Sequence, residues 1–234
     1  MYSNLGVFDT FMTKVPVTLE LVIMTTVTST MIGLPLGIIM ALKQDTWVDY
    51  VVRVFSLAGL SMPSFWTATL FLVAGLYWFD WTPQLEYVSI FKDPLANLNQ
   101  FLWPALILGW VNSASKARMM RSSMLEVLRQ DYIRTARAKG LRNFVVTYRH
   151  AMKNAMLPVV TIIGVTIALT MGGAVIIERV FALPGMGNFL VEGMNYRDYP
   201  VVQSIVMIFS IWVVLVNLAV DVSYGWLDPR IRYE

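Results

Sequence analysis

The chain has 234 residues, of which 57% are hydrophobic and only 14% carry a charge, with a net charge of +3. Because soluble domains have about 25% charged residues, this composition is typical of a membrane protein and excludes an ordinary soluble domain with a large core. The sequence has no cysteine, which excludes disulfides and thiolate chemistry.

Five stretches are long and apolar enough to cross a bilayer, which takes roughly 20 predominantly apolar residues. The predicted spans are about 17–42, 54–79, 97–118, 156–177 and 200–222. Proline and glycine occur in several of them, which membrane helices tolerate because neighbouring helices satisfy the freed backbone groups. The sequence therefore predicts an all-α membrane protein, a polytopic helical bundle of about five transmembrane helices.

Lys and Arg are concentrated in one connection, which gives the bundle an orientation. Ten of the eighteen lie between Lys116 and Lys153, from the last residues of the third predicted span to the start of the fourth. Because cytoplasmic loops of membrane proteins carry an excess of Lys and Arg, we expect this connection, about 119–155, and the C-terminus to be cytoplasmic. Five spans then leave the N-terminus outside, and we expect a further helix upstream of this chain to account for that.

The cytoplasmic connection is predicted to form a helix, a tight turn and a second helix. Between Met119 and Lys139 there is no Gly or Pro, and good helix formers dominate. Gly140 suits the left-handed conformation just past a helix end. Asn143 is then a candidate N-cap for a second helix over 144–155.

Small and apolar residues alternate with basic ones around this turn. The small and apolar residues are Ile133, Ala136, Ala138 and Leu141, and the basic residues are Arg134, Arg137, Lys139 and Arg142. This pattern suits docking into a groove on another protein. It also suits an amphipathic helix resting on anionic lipid headgroups, so both interpretations stay open, with the tight turn favouring docking.

The same connection resembles the cytoplasmic signature, the EAA motif, of binding-protein-dependent importers. That signature is Glu-Ala-Ala, three residues, Gly and, later, Leu-Pro; the corresponding residues are Arg134-Thr135-Ala136, Gly140 and Leu157-Pro158. The runs DYIRTARAKGL and YRHAMKNAMLP are similar to the dipeptide, oligopeptide and nickel branch of these ABC transporter permeases. Four further runs resemble the same branch, in order along the chain. They are IGLPLGIIMAL, LAGLSMPSFW, ERVFALPGMG and DPRIRY.

The resemblance implies a single type-1 transmembrane domain over 1–234 that forms half of a translocation pathway for peptides or related small solutes. It implies a second homologous permease subunit, two cytoplasmic ATPase subunits and an external substrate-binding protein, in a bacterial or archaeal plasma (inner) membrane. ATP and Mg²⁺ are expected on the ATPases, with no cofactor on this chain, which has no phosphate-binding GxxxxGK[ST] motif. Members of this branch begin with one more membrane helix, so this chain is expected to start after it.

The resemblance also implies where an ATPase docks. The expected docking residues are Ile133, Arg134, Thr135, Ala136, Lys139, Gly140 and Leu141. Leu157 and Pro158 are expected to close the second cytoplasmic helix and link it rigidly to the fourth span. The substrate, whether dipeptide, oligopeptide, nickel or glutathione, and the residues that line its path are not identified by the sequence.

An ion-gradient-coupled secondary transporter is the alternative function. Such transporters usually carry ionisable residues at membrane depth, whereas Glu20 and Asp221 fall at the ends of predicted spans. An enzyme or metal site needs several converging ligands, and the single histidine, His150, is expected to be a surface residue. The basic connection carries no nucleic-acid motif, so no nucleic-acid partner is expected.

Overall fold

The computed structural model describes residues 7–84 and 86–227, which form helices and no strand. In chain order the helices are α1 (Val7–Leu42), α2 (Trp47–Ser61), α3 (Ser64–Phe79), α4 (Pro94–Leu128), α5 (Asp131–Ala138), α6 (Asn143–Val145), α7 (Met152–Val180), α8 (Met186–Asn195) and α9 (Tyr199–Leu227). A short π-helix, Val146–Ala151, joins α6 to α7. Helices thus cover all five predicted spans, and the predicted all-α class is confirmed.

The long helices α1 and α4 form the centre of the bundle, and glycine lets them approach closely. A Cβ atom at Gly37 would lie 2.6 Å from the carbonyl oxygen of Ala117, and one at Gly33 would lie 2.7 Å from that of Ser113. Contacts this short leave no room for a side chain, and small residues of this kind are how membrane helices pack tightly. The two glycines therefore hold α1 against α4.

The second predicted span, 54–79, is not one continuous helix. Helices α2 and α3 meet at an angle of 98°, and Met62 between them has an extended backbone with φ −100° and ψ 125°. Pro63 explains the bend, because proline disfavours helical geometry in the residue before it and cannot donate a helical hydrogen bond.

The described helices differ in how well they suit a membrane. Thr10–Leu42, Asn143–Val180 and Tyr199–Ser223 are long and apolar enough to cross a bilayer, and the bent pair α2 and α3 would make a fourth span. Helix α4, over the third predicted span, has 35 residues but does not reach the same hydropathy. It carries buried polar side chains at Asn97, Gln100, Ser113, Lys116 and Ser123, which face its neighbours in the bundle.

Candidate functional site

The first cytoplasmic helix is shorter than predicted, because the chain turns between α4 and α5. The amide N–H groups of Arg129 and Gln130 bond to the carbonyls of Glu126 and Val127, three residues back, which tightens and ends α4. The expected continuous helix from Met119 to Lys139 is therefore wrong. Nothing in the local sequence opposes that helix; the turn instead folds α5 back so that its apolar face is buried in the bundle.

Gly140 ends α5 as its position in the sequence predicted. Its φ is +76°, a left-handed conformation that strains residues with a side chain. The N–H of Leu141 bonds to the carbonyl of Ala136 at 3.4 Å, and that of Gly140 bonds to the carbonyl of Arg137 at 2.9 Å. These two bonds form a Schellman motif, which fixes the direction in which the chain leaves α5.

The second cytoplasmic helix continues into the fourth span without a break. Asn143 lies inside it rather than capping it, because the N-cap position is Arg142. The π-helix then leads into α7, which includes Pro158. The expectations of a separate helix over 144–155 and of closure at Leu157-Pro158 are wrong, because neighbouring helices allow a membrane helix to contain proline. The helical path from 143 to 180 is one element.

Two of the seven expected docking residues lie inside the protein. Ile133 is fully buried and Ala136 is 7% exposed. They join a core cluster that includes Ile38 of α1, Met120 of α4 and Ala155 of α7. This cluster fastens α5 to three long helices, so α5 cannot shift without moving them.

The other expected docking residues are exposed and are extended by two aromatic residues. Phe144 and Tyr148 are 70% and 42% exposed, and their ring centroids lie 4.5 Å apart. Their spacing of four residues on a helical segment was the sequence signal that could have found them. We call the exposed set the turn surface, and it consists of Arg134, Thr135, Lys139, Gly140, Leu141, Phe144 and Tyr148.

The turn surface is positively charged around its apolar centre. Arg134 pairs with Asp131 at 3.2 Å, and both side chains are largely exposed, so this pair contributes little energy. The exposed residues Arg137, Lys139 and Arg142 add further positive charge. The surface is therefore complementary to an apolar groove with an acidic rim.

A hydrogen bond ties α5 to α7 beside the turn surface. The side-chain amide of Asn154 donates to the hydroxyl of Tyr132 at 2.7 Å. The same hydroxyl is 3.5 Å from the carbonyl oxygen of His150, in the π-helix. His150 is half-buried and takes part through its backbone, so the bonds lock α5 to the start of the fourth span.

A buried carboxylate joins α2 to α4 at the same end of the bundle. Asp49 is fully buried and accepts hydrogen bonds from Arg53 at 2.8 Å and Arg121 at 2.9 Å. The backbone N–H of Asp45 donates to it at 3.2 Å. The two guanidinium groups and the amide satisfy this carboxylate, so Asp49 fixes the α1–α2 connection against α4.

The opposite end of the bundle is organised by a second buried carboxylate, Glu178. It accepts hydrogen bonds from Thr18 at 2.6 Å and from the backbone N–H groups of Gly187 and Asn188 at 2.8 and 3.1 Å. The hydroxyl of Thr18 accepts in turn from the N–H of Met186 at 2.8 Å. The segment ERVFALPGMG, residues 178–187, thus folds so that Glu178 caps the start of α8 and holds α8 to α1.

Polar contacts also lie within the bundle. The side-chain amide of Asn112 donates to the hydroxyl of Thr170 at 3.1 Å, joining α4 to α7. Lys116, expected at the cytoplasmic edge of the third span, is instead fully buried, and its ammonium donates to the hydroxyl of Ser29 at 2.7 Å. Among the residues that the structure describes, no three His, Asp or Glu side chains converge as a metal site.

Comparison with known proteins gives consistent matches along the chain. Residues 33–233 match the family described as binding-protein-dependent transport system inner membrane component. A dipeptide transport system permease protein of Escherichia coli K12 is 39% identical over 100% of this chain and 76% of its own length. One of Alkalihalophilus pseudofirmus is 37% identical over 99% of this chain and 75% of its own.

The fold also matches a solved structure. A chain of the inward-facing MetNI methionine ABC transporter superposes with a TM-score of 0.76, covering 94% of this chain and 96% of the other. Their sequences are only 16% identical, so this likeness concerns the fold alone.

Proposed function

The chain belongs to the family of binding-protein-dependent transport system inner membrane components, and from this premise we propose that it forms half of the pathway by which an ATP-driven importer moves peptides across the membrane. Its role as the permease component follows from the family. The peptide substrate is supported by relatives of Escherichia coli and Alkalihalophilus pseudofirmus that are named as dipeptide transport permeases.

The proposed partners follow from what the chain lacks and what it exposes. It has no phosphate-binding GxxxxGK[ST] motif, so an ATPase on another polypeptide supplies the chemical energy. An external binding protein delivers the substrate. The proposed assembly contains a second homologous permease and two ATPase subunits, with ATP and Mg²⁺ on the ATPases.

The turn surface is the proposed docking site for the ATPase. The observation that carries this proposal is an exposed aromatic pair, Phe144 and Tyr148, set among exposed arginine and lysine side chains. Buried aromatic anchors with a polar rim are the usual centre of a protein interface. Ile133 and Ala136 are buried beneath this site and hold α5 in position.

The coupling proceeds by rigid-body movement. When the ATPases close on ATP, the ATPase groove that holds the turn surface moves, and the turn surface moves with it. The buried cluster beneath α5 and the bond between Tyr132 and Asn154 carry that movement into α7. Because α6, the π-helix and α7 form one helical path, the membrane part of α7 shifts between inward-open and outward-open packings.

The proposed orientation puts the turn surface and the C-terminus in the cytoplasm of a bacterial or archaeal cell. It follows from the excess of Lys and Arg in the connection that contains the turn surface. Helix α8 and the carboxylate of Glu178 are then on the external side, where the binding protein delivers the peptide.

Uptake measured in proteoliposomes tests the function. The chain is reconstituted with the permease, ATPases and binding protein encoded beside it, and labelled di- and oligopeptides are offered with ATP inside or outside. We expect uptake that requires ATP on the side of the turn surface and the binding protein on the other side. Uptake that follows a proton or sodium gradient without ATP would instead identify an ion-coupled transporter.

A further inference from the structure

A cleft of about 740 Å³ opens between α2 and α4, next to the buried Asp49. Its walls are formed by α1, α2, α4 and the turn between α4 and α5 at Arg129 and Gln130, and no residue of the turn surface lines it. Four arginines line it, together with apolar side chains from α1, α2 and α4. A cleft that combines concentrated positive charge with an apolar wall suits a ligand that has a negatively charged group and an apolar part.

The wall on α4 is a single helical face. Arg118, Ser122 and Leu125 line the cleft, and their spacing of four and three residues puts them in one row along α4. Arg129, the C-cap residue just past Leu128, lines the cleft where that row ends. The two arginines therefore lie at the ends of the row, with a hydroxyl and a leucine between them.

The four arginines are not equivalent. Arg53 and Arg121 are held by the carboxylate of Asp49, so their positions are fixed and much of their charge is balanced. Arg118 and Arg129 are exposed, and neither forms a salt bridge within the described residues. Glu126 also lines the cleft but leaves an excess of positive charge.

The apolar part of the lining, which consists of Met40, Leu57 and Leu125, continues onto the exposed side of α2. Leu57 is 39% exposed and lines the cleft, and Val54 beside it is 68% exposed. Trp47 and Tyr50, in the first turn of α2, are exposed as well. Trp and Tyr concentrate at the depth of lipid headgroups, and the guanidinium carbon of the cleft-lining Arg53 lies 5.3 Å from the centroid of the Tyr50 ring, so we infer that the cleft opens near the membrane surface.

We propose that this cleft binds an anionic phospholipid of the leaflet on the side of the turn surface. The guanidinium groups of Arg118 and Arg129 lie eleven residues apart, so they attract the phosphate from the two ends of the cleft, as arginine does where phosphate is recognised. Leu57, on α2, contacts the acyl chains. Basic pockets between membrane helices on the cytoplasmic side hold lipid headgroups in this way, and this assignment goes beyond the transport function.

Native mass spectrometry of the purified full-length chain in neutral detergent tests the proposal. Phosphatidylglycerol is titrated against phosphatidylcholine of the same acyl chains. We expect phosphatidylglycerol to bind preferentially, and the double variant R118Q/R129Q to bind it at least about tenfold more weakly, since losing one charge-assisted hydrogen bond to a phosphate lowers affinity by roughly tenfold or more. The matched control R137Q/R142Q removes the same charge from exposed positions outside the cleft and keeps wild-type binding.

Three outcomes would overturn the proposal. Equal loss in both double variants would mean that net charge alone attracts the lipid. Equal binding of phosphatidylcholine would mean that the cleft does not distinguish an anionic headgroup from a zwitterionic one. Binding of glycerol 3-phosphate as strongly as phosphatidylglycerol would identify a free phosphate site without a role for the acyl chains. Because no transport is measured, failure here is distinct from failure of the proposed import function.

Discussion

The side-chain amide of Asn154 donates a hydrogen bond of 2.7 Å to the hydroxyl of Tyr132, and this bond joins α5 to the start of α7. Tyr132 is 42% exposed, so the bond can contribute little to overall stability. Its position, between the turn surface and the helix that enters the membrane, is that of a mechanical link rather than of a core contact.

Removing this hydroxyl is expected to weaken coupling more than stability. In Tyr132→Phe we expect the peptide transported per ATP hydrolysed to fall, because one of the two connections between α5 and α7 is lost while the buried cluster remains. The thermal midpoint is expected to change by the equivalent of about 1 kcal/mol or less. Tyr77→Phe makes the same chemical change at an 83% exposed tyrosine outside the turn surface and is the control; an equal loss of coupling in both variants would contradict the link.

Gly140 offers a test in which two substitutions at one position have opposite outcomes. Its φ of +76° costs a β-branched residue about 1–2 kcal/mol, whereas asparagine adopts this conformation readily. No atom lies within 4 Å of a Cβ added there, so backbone strain and not collision decides. We expect Gly140→Val to impair ATP-driven uptake and Gly140→Asn to retain most of it, measured at equal amounts of membrane-inserted protein.

Substitutions at Ile133 and Phe144 test two different roles. Ile133 supports the turn surface from inside the protein, whereas Phe144 is proposed to contact the ATPase. Ile133 is fully buried and Phe144 is 70% exposed. Ile133→Ala should lower the stability of the chain by about 2–5 kcal/mol, as core truncations do. Phe144→Ala should leave stability unchanged and weaken association with the ATPase at least tenfold, measured by co-purification and titration. Unchanged ATPase binding in Phe144→Ala would remove the aromatic pair from the interface.

Sequence patterns located the long helices but not the short helix α8 or all of the helix ends. The positions of the five apolar stretches and the left-handed Gly140 follow from local chemistry, and both were predicted. The end of α4 at Leu128 was not, because residues 119–139 are all compatible with a helix. Only the burial of Ile133 against α1, α4 and α7 makes the turn favourable, and such packing is a property of the folded chain.

The candidate site was likewise predicted only in part from the sequence. The basic and exposed residues Arg134 and Lys139 were found because charge is visible in the sequence. The inward direction of Ala136 was missed, because an alternation of small and basic residues does not say which face is covered. Pro63 is a further case, because Pro35, Pro104 and Pro158 lie inside continuous helices, so a proline in an apolar stretch does not by itself locate the break that the folded chain shows before Pro63.

Asp49 is expected to contribute far more to stability than an exposed carboxylate. In Asp49→Asn the guanidinium groups of Arg53 and Arg121 lose a buried counter-ion, and breaking such a cluster costs about 3–5 kcal/mol when both partners are buried. Because these arginines are 38% and 23% exposed, we expect about 1–3 kcal/mol. Asp131→Asn, whose side chain is 94% exposed, should change stability by less than about 1 kcal/mol.

Glu178 provides the corresponding prediction for the far end of the bundle. Its carboxylate accepts from Thr18 and from the N–H groups of Gly187 and Asn188. In Glu178→Gln one oxygen becomes an NH₂ group. Facing α8 it leaves the N–H groups of Gly187 and Asn188 without an acceptor, and facing Thr18 it leaves the Thr18 hydroxyl without one, so at least one donor loses its partner. We expect a loss of about 1–3 kcal/mol together with faster amide hydrogen exchange in α8.

The exchange should rise locally, because Glu178 caps α8 and does not contact the turn surface. Glu192→Gln is the matched control. Its carboxylate lies on α8 and accepts only a 3.4 Å bond from Asn188 among the hydrogen bonds of the described residues, so exchange in α8 should stay at the wild-type rate. Faster exchange at the turn surface in Glu178→Gln would mean general unfolding. Faster exchange confined to α8 would establish that this glutamate fastens the helix to α1 and α7.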